Sequence, residues 1–161
     1  MKTIVSIIFI LSVSVAFSQA SVCGQFHRKN CINPEQDKTT LWLYNAQSKS
    51  GLFHQGNTSK IRCVVYKGMD YRINVCCETT IGESVNYKIF DAKTNELLFD
   101  NATVENTPTY EFESTATRQL IIEVTVPAGE TEVDKHKPVD AACVGLLIEH
   151  KVSERKGFSQ Y

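Results

Sequence analysis

The stretch Ile61–Cys77, IRCVVYKGMDYRINVCC, constrains the fold of this chain more than any other. Two runs of strand-forming residues flank a turn centred on Gly68. In the second run, apolar residues occupy every second position from Tyr71 to Cys77, and a period of two is typical of a half-buried β-strand. The stretch therefore predicts two core strands, joined as a hairpin or lying as a strand pair.

Similar short patterns recur along the chain with turn residues between them. Gln119–Val126 has apolar residues on both faces near its start, which predicts a central position in a sheet. Many short strands separated by turns are typical of a sandwich. We therefore predict an all-β fold, a jelly-roll-like antiparallel β-sandwich of about seven or eight strands. The predicted strands are Lys60–Tyr66, Tyr71–Cys77, Val85–Ile89, Glu96–Phe99, Tyr110–Phe112, Gln119–Val126 and Ala141–Glu149.

The region before Lys60 is less regular. Residues 39–46 form an apolar run that fits either a strand or a short helix, because periodicity does not separate the two over so short a length. Gln47–Gly51 has the composition of a turn, and a second turn is expected at Gly56-Asn57.

The first 20 residues have the layout of a secretory signal peptide. A short positive start is followed by the apolar run Ile4–Phe17 and by small residues at Ser18-Gln19-Ala20. The run is shorter than the roughly 20 residues that a membrane-spanning helix needs. We predict a cleaved signal peptide (1–20), a loop-rich N-terminal segment (21–38), a sandwich domain (39–150) and a flexible tail (151–161). A retained anchor and a lipoprotein lipidated at Cys23 are the alternatives.

All six cysteines follow the predicted cleavage site, and an even number in an exported chain favours disulfides. Six cysteines allow 15 pairings, and the sequence does not choose among them. We expect Cys23 to pair with Cys31. We expect Cys76 and Cys77 to pair with Cys63 and Cys143, in an order that the sequence does not decide. The cysteines expected in disulfides are Cys23, Cys31, Cys63, Cys76, Cys77 and Cys143.

The segments KIFDAKTNELLFDN, TYEF and LIIEVTVP, within Tyr71–Val126, resemble small secreted bacterial β-sandwich modules of the pre-peptidase C-terminal and GOLD types. Tyr66–Tyr71 and Cys143-Val144-Gly145 also resemble uncharacterised single-domain exported proteins. The resemblance covers the middle of the chain and rests on strand order and turn placement. It implies a non-catalytic module that binds polysaccharide or protein, and it assigns no functional residue. The N-terminal cysteine segment departs from these modules.

No catalytic motif is present. None of the four histidines lies in an HExxH motif, and no GxSxG occurs. Cys76-Cys77 lacks the CxxC spacing at a helix N-terminus that activates a redox thiol. Cys23, His27 and Cys31 would share one face of a helix and could hold a metal, but Gly24, Asn30 and Pro34 disfavour a regular helix. We therefore expect no enzyme activity, no metal and no cofactor.

Other surface features are weaker guides. The formal net charge of −1 gives no indication of the strongly basic face that nucleic-acid binding requires, so we expect no nucleic-acid partner. Asn57 and Asn101 lie in N-glycosylation sequons and are candidate sites in a eukaryotic host, with chance occurrence as the alternative. Four aromatic residues are expected in the core, with an aromatic binding platform as the alternative. These residues are Trp42, Tyr44, Phe53 and Tyr66.

The sequence thus predicts a secreted or periplasmic, non-enzymatic binding module for a protein or glycan partner. Its contacts would come from the Gly82 region, Asn101–Thr109 and Pro127–Asp140, since loops carry most binding residues. Main-chain pairing along an exposed edge strand is a second route to a partner. A self-assembling envelope or matrix component, and a small secreted enzyme or inhibitor, are the alternative functions.

Overall fold

A computed structural model describes residues 22–32, 42–79, 85–128 and 141–153. The predicted signal peptide, the Gly82 region, most of Pro127–Asp140 and the tail beyond residue 153 lie outside the described residues. Across the described ranges, no helix is long and apolar enough to cross a membrane.

The described chain contains one short α-helix and nine strands. A 3₁₀ turn at Asn101–Thr103 separates the sixth strand from the seventh. The elements are α1 (Phe26–Asn30), β1 (Leu43–Tyr44), β2 (Lys49–His54), β3 (Thr58–Val65), β4 (Met69–Cys77), β5 (Asn86–Asp91), β6 (Leu97–Asp100), β7 (Thr109–Ser114), β8 (Arg118–Thr125) and β9 (Ala141–Val152).

The strands form two antiparallel sheets that face each other. Sheet A has the order β1-β9-β4-β7, with β2 also paired to β9 beside β1, and sheet B has the order β3-β8-β5-β6. Strands β2 to β9 thus form two four-stranded sheets in the arrangement of a jelly roll. This confirms the predicted all-β sandwich, and β8 has the central place in its sheet that its sequence predicts.

The core lies between the two sheets, where the inward side chains of both meet. Alternate residues of each strand point inward, so every strand contributes one face. The most deeply buried large side chains are Tyr71, Ile73, Tyr87, Ile89, Leu120, Ile122 and Ile148.

The predicted hairpin at Ile61–Cys77 is wrong. Strand β3 pairs with β8 in sheet B, whereas β4 pairs with β7 and β9 in sheet A. The turn at Gly68, which has a φ of +79°, therefore carries the chain from one sheet to the other. Alternation specifies the buried face of each strand but not its neighbour, so the two patterns were compatible with either arrangement.

One open alternative is decided, and two further boundaries differ from the prediction. Residues 43–44 are a strand, which answers the helix-or-strand question for the described part of 39–46. The predicted turn Gln47–Gly51 overlaps β2, a strand whose Ser50 and Gly51 have low β-propensity. Strand β9 continues to Val152, so the first two residues of the predicted tail belong to sheet A.

The two central strands differ in their burial. In β8 buried residues alternate with partly exposed ones, whereas β9 is buried without interruption from Ala142 to Ile148. Strand β9 is covered on both faces, because the N-terminal segment packs against the outer face of sheet A. That segment contains α1, so the prediction that Gly24, Asn30 and Pro34 prevent a regular helix is wrong for Phe26–Asn30.

Candidate functional site

Two disulfides attach the N-terminal segment to sheet A. Cys23 is bonded to Cys143 on β9, and Cys31 is bonded to Cys76 on β4. The expected Cys23–Cys31 bond is therefore wrong, as is the expected pairing of Cys143 with Cys76 or Cys77. Helix α1 lies between Cys23 and Cys31, and it places one cysteine over β9 and the other over β4.

The other two cysteines carry thiols. Cys63 is buried in the core, and Cys77 packs against the core from β4. Burial raises the pKa of the Cys63 thiol to about 11. Burial, and then the nearby Glu78 carboxylate, raises the pKa of the Cys77 thiol. Both groups stay protonated at neutral pH and are poor nucleophiles. The expectation that all six cysteines form disulfides is wrong.

Helix α1 approaches β9 closely because position 145 is a glycine. A Cβ added to Gly145 would lie 2.5 Å from the Cys31 sulfur and 2.9 Å from the His27 Cα. Asn74, on the neighbouring strand, donates its side-chain N–H to the Cys31 carbonyl at 2.6 Å. At this point the backbone of α1 therefore packs directly against the backbone of β9.

His27 connects α1 to the two strands at the edge of sheet A. Its Nδ1 lies 2.5 Å from Ser50 Oγ on β2, and its Nε2 lies 3.2 Å from the Tyr44 hydroxyl on β1. The His27 backbone N–H also donates to Ser50 Oγ at 2.8 Å. The Arg28 guanidinium lies 4.1 Å from the centroid of the Tyr44 ring. This group, the His27 cluster, comprises His27, Arg28, Tyr44 and Ser50.

The His27 cluster has the residue types of a hydrolytic site but not its arrangement. Burial, and then the charge of Arg28, lowers the pKa of His27. Ser50 Oγ accepts the His27 backbone N–H and also lies within hydrogen-bond distance of Nδ1, while Nε2 lies within hydrogen-bond distance of the Tyr44 hydroxyl. A nucleophilic serine needs an oriented base and an open position for the substrate, whereas both ring nitrogens of this buried histidine are engaged. We interpret the cluster as structural.

A second group of polar side chains surrounds Trp42 on the outer face of sheet A. The Arg72 guanidinium lies 4.3 Å from the centroid of the indole, and the Lys151 ammonium lies 4.9 Å from it. Arg72 donates to Glu111 at 2.6 Å and lies 3.5 Å from Glu149. Arg72 thus bridges β7 and β9 across β4 while it covers the indole.

A pocket of about 240 Å³ lies beside this group. Lys151 lies 3.8 Å from Asp70, whose carboxylate also accepts a hydrogen bond from the Ser153 hydroxyl. Asp70 and Glu111 are each paired with a cation, Lys151 and Arg72 respectively, and Glu113 is a third carboxylate in the lining. Among the residues that the structure describes, no cluster of three or more His, Cys, Asp or Glu could hold a metal ion.

The sandwich has a cleft at each of its two open sides. One cleft, of about 230 Å³, lies between β7 and the strands of sheet B, and Glu113 and Arg118 are part of its lining. The other, of about 170 Å³, lies between β2 and β3. We call the second one the β2–β3 cleft. It is lined by Lys49, Ser50, Gly51, Phe53, Ser59, Ile61, Val124, Val144 and Leu146.

The sheet edges differ in the features that prevent pairing with another chain. Charged side chains and short length both protect an edge strand. Strand β3 carries Lys60 and Arg62, β7 carries Glu111 and Glu113, and β6 is four residues long.

Strand β2 has the least protected edge of the four. Between Lys49 and His54, at its two ends, it carries no charge. Its Leu52 side chain is 60% exposed, and Leu43 on the adjoining β1 is 58% exposed. Along β9, Leu52 lies opposite Cys143 whereas Tyr44 lies opposite Glu149, so the exposed apolar side chains occupy separate places on the β1–β2 edge.

The predicted glycosylation sites have different outcomes. Asn57 lies in an exposed turn, so its glycosylation stays a prediction. Asn101 is fully buried, and its side-chain nitrogen donates to the Val85 and Thr107 carbonyls while its oxygen accepts the Tyr87 N–H. The folded protein therefore does not present Asn101 as an acceptor, because the nitrogen that would carry a glycan is enclosed.

The four aromatic residues that were expected in the core also differ in their burial. Phe53 packs against the core, as predicted. Trp42 lies on the outer face of sheet A, and Tyr44 and Tyr66 are exposed, so the prediction of core positions is wrong for these three. The sequence did not indicate a role for Ser50 or Leu52, which lie in no recognisable motif, and the resemblance that includes Gly145 assigned no functional residue.

The fold and its bonds define a disulfide-linked jelly roll. Structural disulfides persist in oxidising compartments, so the protein is secreted or periplasmic, as predicted. No family model and no curated protein matches the chain.

Solved structures that are similar to part of the chain include two lysozyme inhibitors. One is PliG, a periplasmic inhibitor of g-type lysozyme from Aeromonas hydrophila, with a TM-score of 0.45 and 12% identity over 65% of this chain and 84% of that one. The other is PliG from Salmonella Typhimurium, with a TM-score of 0.39 and 16% identity over 74% of this chain and 96% of that one. Similarity at this level does not bear on what this chain binds. The resemblance to pre-peptidase C-terminal and GOLD-type modules stays a prediction.

Proposed function

We propose that the protein is a secreted, non-enzymatic binding protein whose partner is another protein, held along the β1–β2 edge of sheet A. The observation that carries the proposal is the edge of β2, which exposes Leu52, carries no charge between Lys49 and His54 and, among the described strands, pairs with β9 alone. A single exposed leucine is ordinary, but an open edge strand without charged residues is available for pairing with another chain.

The rigidity of this edge supports the proposal. The His27 cluster attaches α1 to both edge strands, and two disulfides hold α1 in place. A surface that is ordered before binding loses less conformational entropy when a partner docks. The edge is therefore preorganised for a contact that covers several residues.

A protein partner fits this surface better than a glycan does. Sugars bind to proteins by stacking on open aromatic faces. The Arg28 guanidinium lies over the Tyr44 ring, and the Arg72 guanidinium lies over the Trp42 ring. One face of each ring is thus already occupied by a cation, which disfavours a sugar platform at these residues.

The absence of enzyme activity is part of the same proposal. The serine and histidine that lie closest to a catalytic arrangement are both engaged in holding α1 to β2. The thiols of Cys63 and Cys77 have raised pKa values. Within the described part of the chain, these groups are the strongest candidates for a nucleophile, and neither set is activated.

Site-specific photo-cross-linking tests the proposal. A benzophenone side chain is placed at Leu52 in one variant and at Leu97, an exposed leucine of the β6 edge, in a matched control. Both are irradiated in the extracytoplasmic fraction of the producing cells. We expect a discrete protein adduct at Leu52 that is absent at Leu97, identified by mass spectrometry. The purified partner should bind the wild type and bind Leu52→Lys at least tenfold more weakly, with Leu97→Lys unchanged. Equal labelling at both positions would overturn the proposal.

A further inference from the structure

We infer that β2 receives an extended segment of the partner as an added strand, with an apolar side chain of that segment in the β2–β3 cleft. This inference rests on the proposed function, since it requires a protein partner. It specifies how that partner is held, and it identifies the chemistry of the segment.

The main chain of β2 determines the class of occupant. Among the described strands, β2 pairs with β9 alone. In an antiparallel strand, alternate residues direct their N–H and C=O groups to opposite sides. About half of the backbone groups of β2 therefore face away from β9, in the spacing that another polypeptide backbone matches. Strand addition to an open sheet edge is an established mode of peptide recognition.

The cleft beneath β2 determines which side chains the segment carries. An added strand would lie about 4.8 Å beyond β2, and its alternate side chains would point toward sheet B. There they would meet the opening between β2 and β3. Most of the lining is apolar, and its volume of about 170 Å³ exceeds that of several water molecules at about 30 Å³ each. One branched aliphatic or aromatic side chain fits this description.

The ends of β2 indicate the charge of the segment. Lys49 and His54 are both exposed, and the strand between them is uncharged. A carboxylate on the segment would find Lys49 at one end of the pairing. An antiparallel pair of two copies of β2, in contrast, would supply no carboxylate to Lys49, because β2 contains no Asp or Glu. The charges therefore favour a different chain with an acidic residue over a second copy of this one.

The opposite side of the sandwich provides the internal comparison. It also has a cleft, but the adjoining edge strand β7 carries Glu111 and Glu113, and Glu113 and Arg118 are part of the cleft lining. In the described residues, an unprotected edge and an apolar cleft coincide at β2. We therefore expect strand addition at the β2 side of the sandwich and not at the β7 side, and binding can be tested at both.

The test uses capped ten-residue peptides selected against the mature protein from a random displayed library. We expect selected peptides to alternate apolar and polar residues and to lose at least tenfold in affinity when alternate backbone amides are N-methylated. Amides of β2 should exchange with solvent more slowly when the peptide is bound. The N-methylated peptides leave the protein unchanged, so this measurement does not depend on how a variant folds.

Two variants test the cleft itself. Ser59 lines the cleft, whereas Lys60 is the next residue along β3 and points to solvent. We expect Ser59→Trp to fill the cleft and weaken peptide binding at least tenfold, while Lys60→Trp has no effect. Equal thermal midpoints for the two variants would show that folding is not the cause.

Three outcomes would overturn the inference. In the first, N-methylation does not weaken the binding of the selected peptides. In the second, Leu97→Lys weakens peptide binding and Leu52→Lys does not. In the third, the selected peptides have the β2 sequence of this chain itself. If the partner cross-linked at Leu52 binds Ser59→Trp as well as it binds Lys60→Trp, strand addition fails and the proposed function stands. If no protein is cross-linked at Leu52 although peptides bind, the proposed function fails instead.

Discussion

The outer faces of the two sheets differ in what covers them. Sheet B directs its outer side chains to solvent, where Lys60 pairs with Glu123 at 2.9 Å and Lys88 with Asp100 at 3.0 Å. Sheet A lies under α1 and Trp42, and its strand β9 is buried on both faces. Strands β8 and β9 are both central, yet only β8 alternates. The alternation of buried and partly exposed residues therefore indicates that the outer face of a strand is exposed to solvent. It does not indicate the position of the strand within its sheet.

The largest expected effect comes from detaching the cover of sheet A. Replacing both Cys23 and Cys143 by Ser removes a cross-link between residues 120 positions apart. We expect a loss of about 4 kcal/mol in the free energy of unfolding, within the range of about 2–5 kcal/mol for native disulfides. Denaturant titration measures it. Cys77→Ser is the control, because Cys77 carries a thiol, and a loss there as large as in the double variant would contradict the assignment.

Alanine substitutions on adjacent positions of the two central strands test the comparison directly. In β8, Ile122→Ala should cost about 2–5 kcal/mol because Ile122 is fully buried, and Ile121→Ala about 1 kcal/mol or less. In β9, Leu146→Ala and Leu147→Ala should both cost about 2–5 kcal/mol, since both faces are covered. A small loss for Leu147→Ala would mean that α1 does not cover sheet A.

A smaller effect is expected where α1 touches β9. Gly145→Ala places a Cβ against the Cys31 sulfur and the His27 backbone. Overpacking of this kind costs about 1–3 kcal/mol, and we expect that loss in thermal or denaturant unfolding. Gly51→Ala is the matched control, because its Cβ would meet only the Phe53 ring at 3.5 Å. Equal effects of the two substitutions would show that the close approach at Gly145 is unimportant.

The smallest expected effect is a dependence of stability on pH through His27. The pKa of His27 is lowered in the folded state from an ordinary value of 6.5. Between the two pKa values the unfolded chain binds more protons, so stability is full above about pH 6.5 and falls as the pH drops through that window. His27→Gln should reduce this slope. A slope that is the same in the wild type and His27→Gln would exclude His27 as its source.

Much of the architecture was predictable because most strands are covered on one face. Residues such as Tyr71, Ile73 and Val75 alternate with polar ones, and that pattern identified the strands and their buried faces. The Asp91–Asn95 turn correctly indicated the hairpin of β5 and β6. Strand β2 was missed since it lies at an edge and contains Ser50 and Gly51, which are ordinary turn residues.

Pairing and contact between distant parts of the chain were not predictable. No local pattern associates Cys23 with Cys143, or Gly145 with His27, because their proximity arises only when α1 is placed on sheet A. The same holds for Asn101, whose sequon suggests exposure although its side chain is buried and bonds to the backbone of Val85 and Tyr87. The position of β1 and β2 at the edge of sheet A could be recognised only from the order of the strands in that sheet.

The disulfide between Cys23 and Cys143 also bears on how the chain is made. The Cys23 thiol is exported early, whereas its partner belongs to the last strand. During translocation, four other thiols arrive before the correct one, at Cys31, Cys63, Cys76 and Cys77. Oxidation in order of arrival would therefore trap Cys23 in a wrong bond. Correct maturation requires that Cys23 stays reduced until β9 has been delivered, or that a disulfide isomerase exchanges the first bond for the final one.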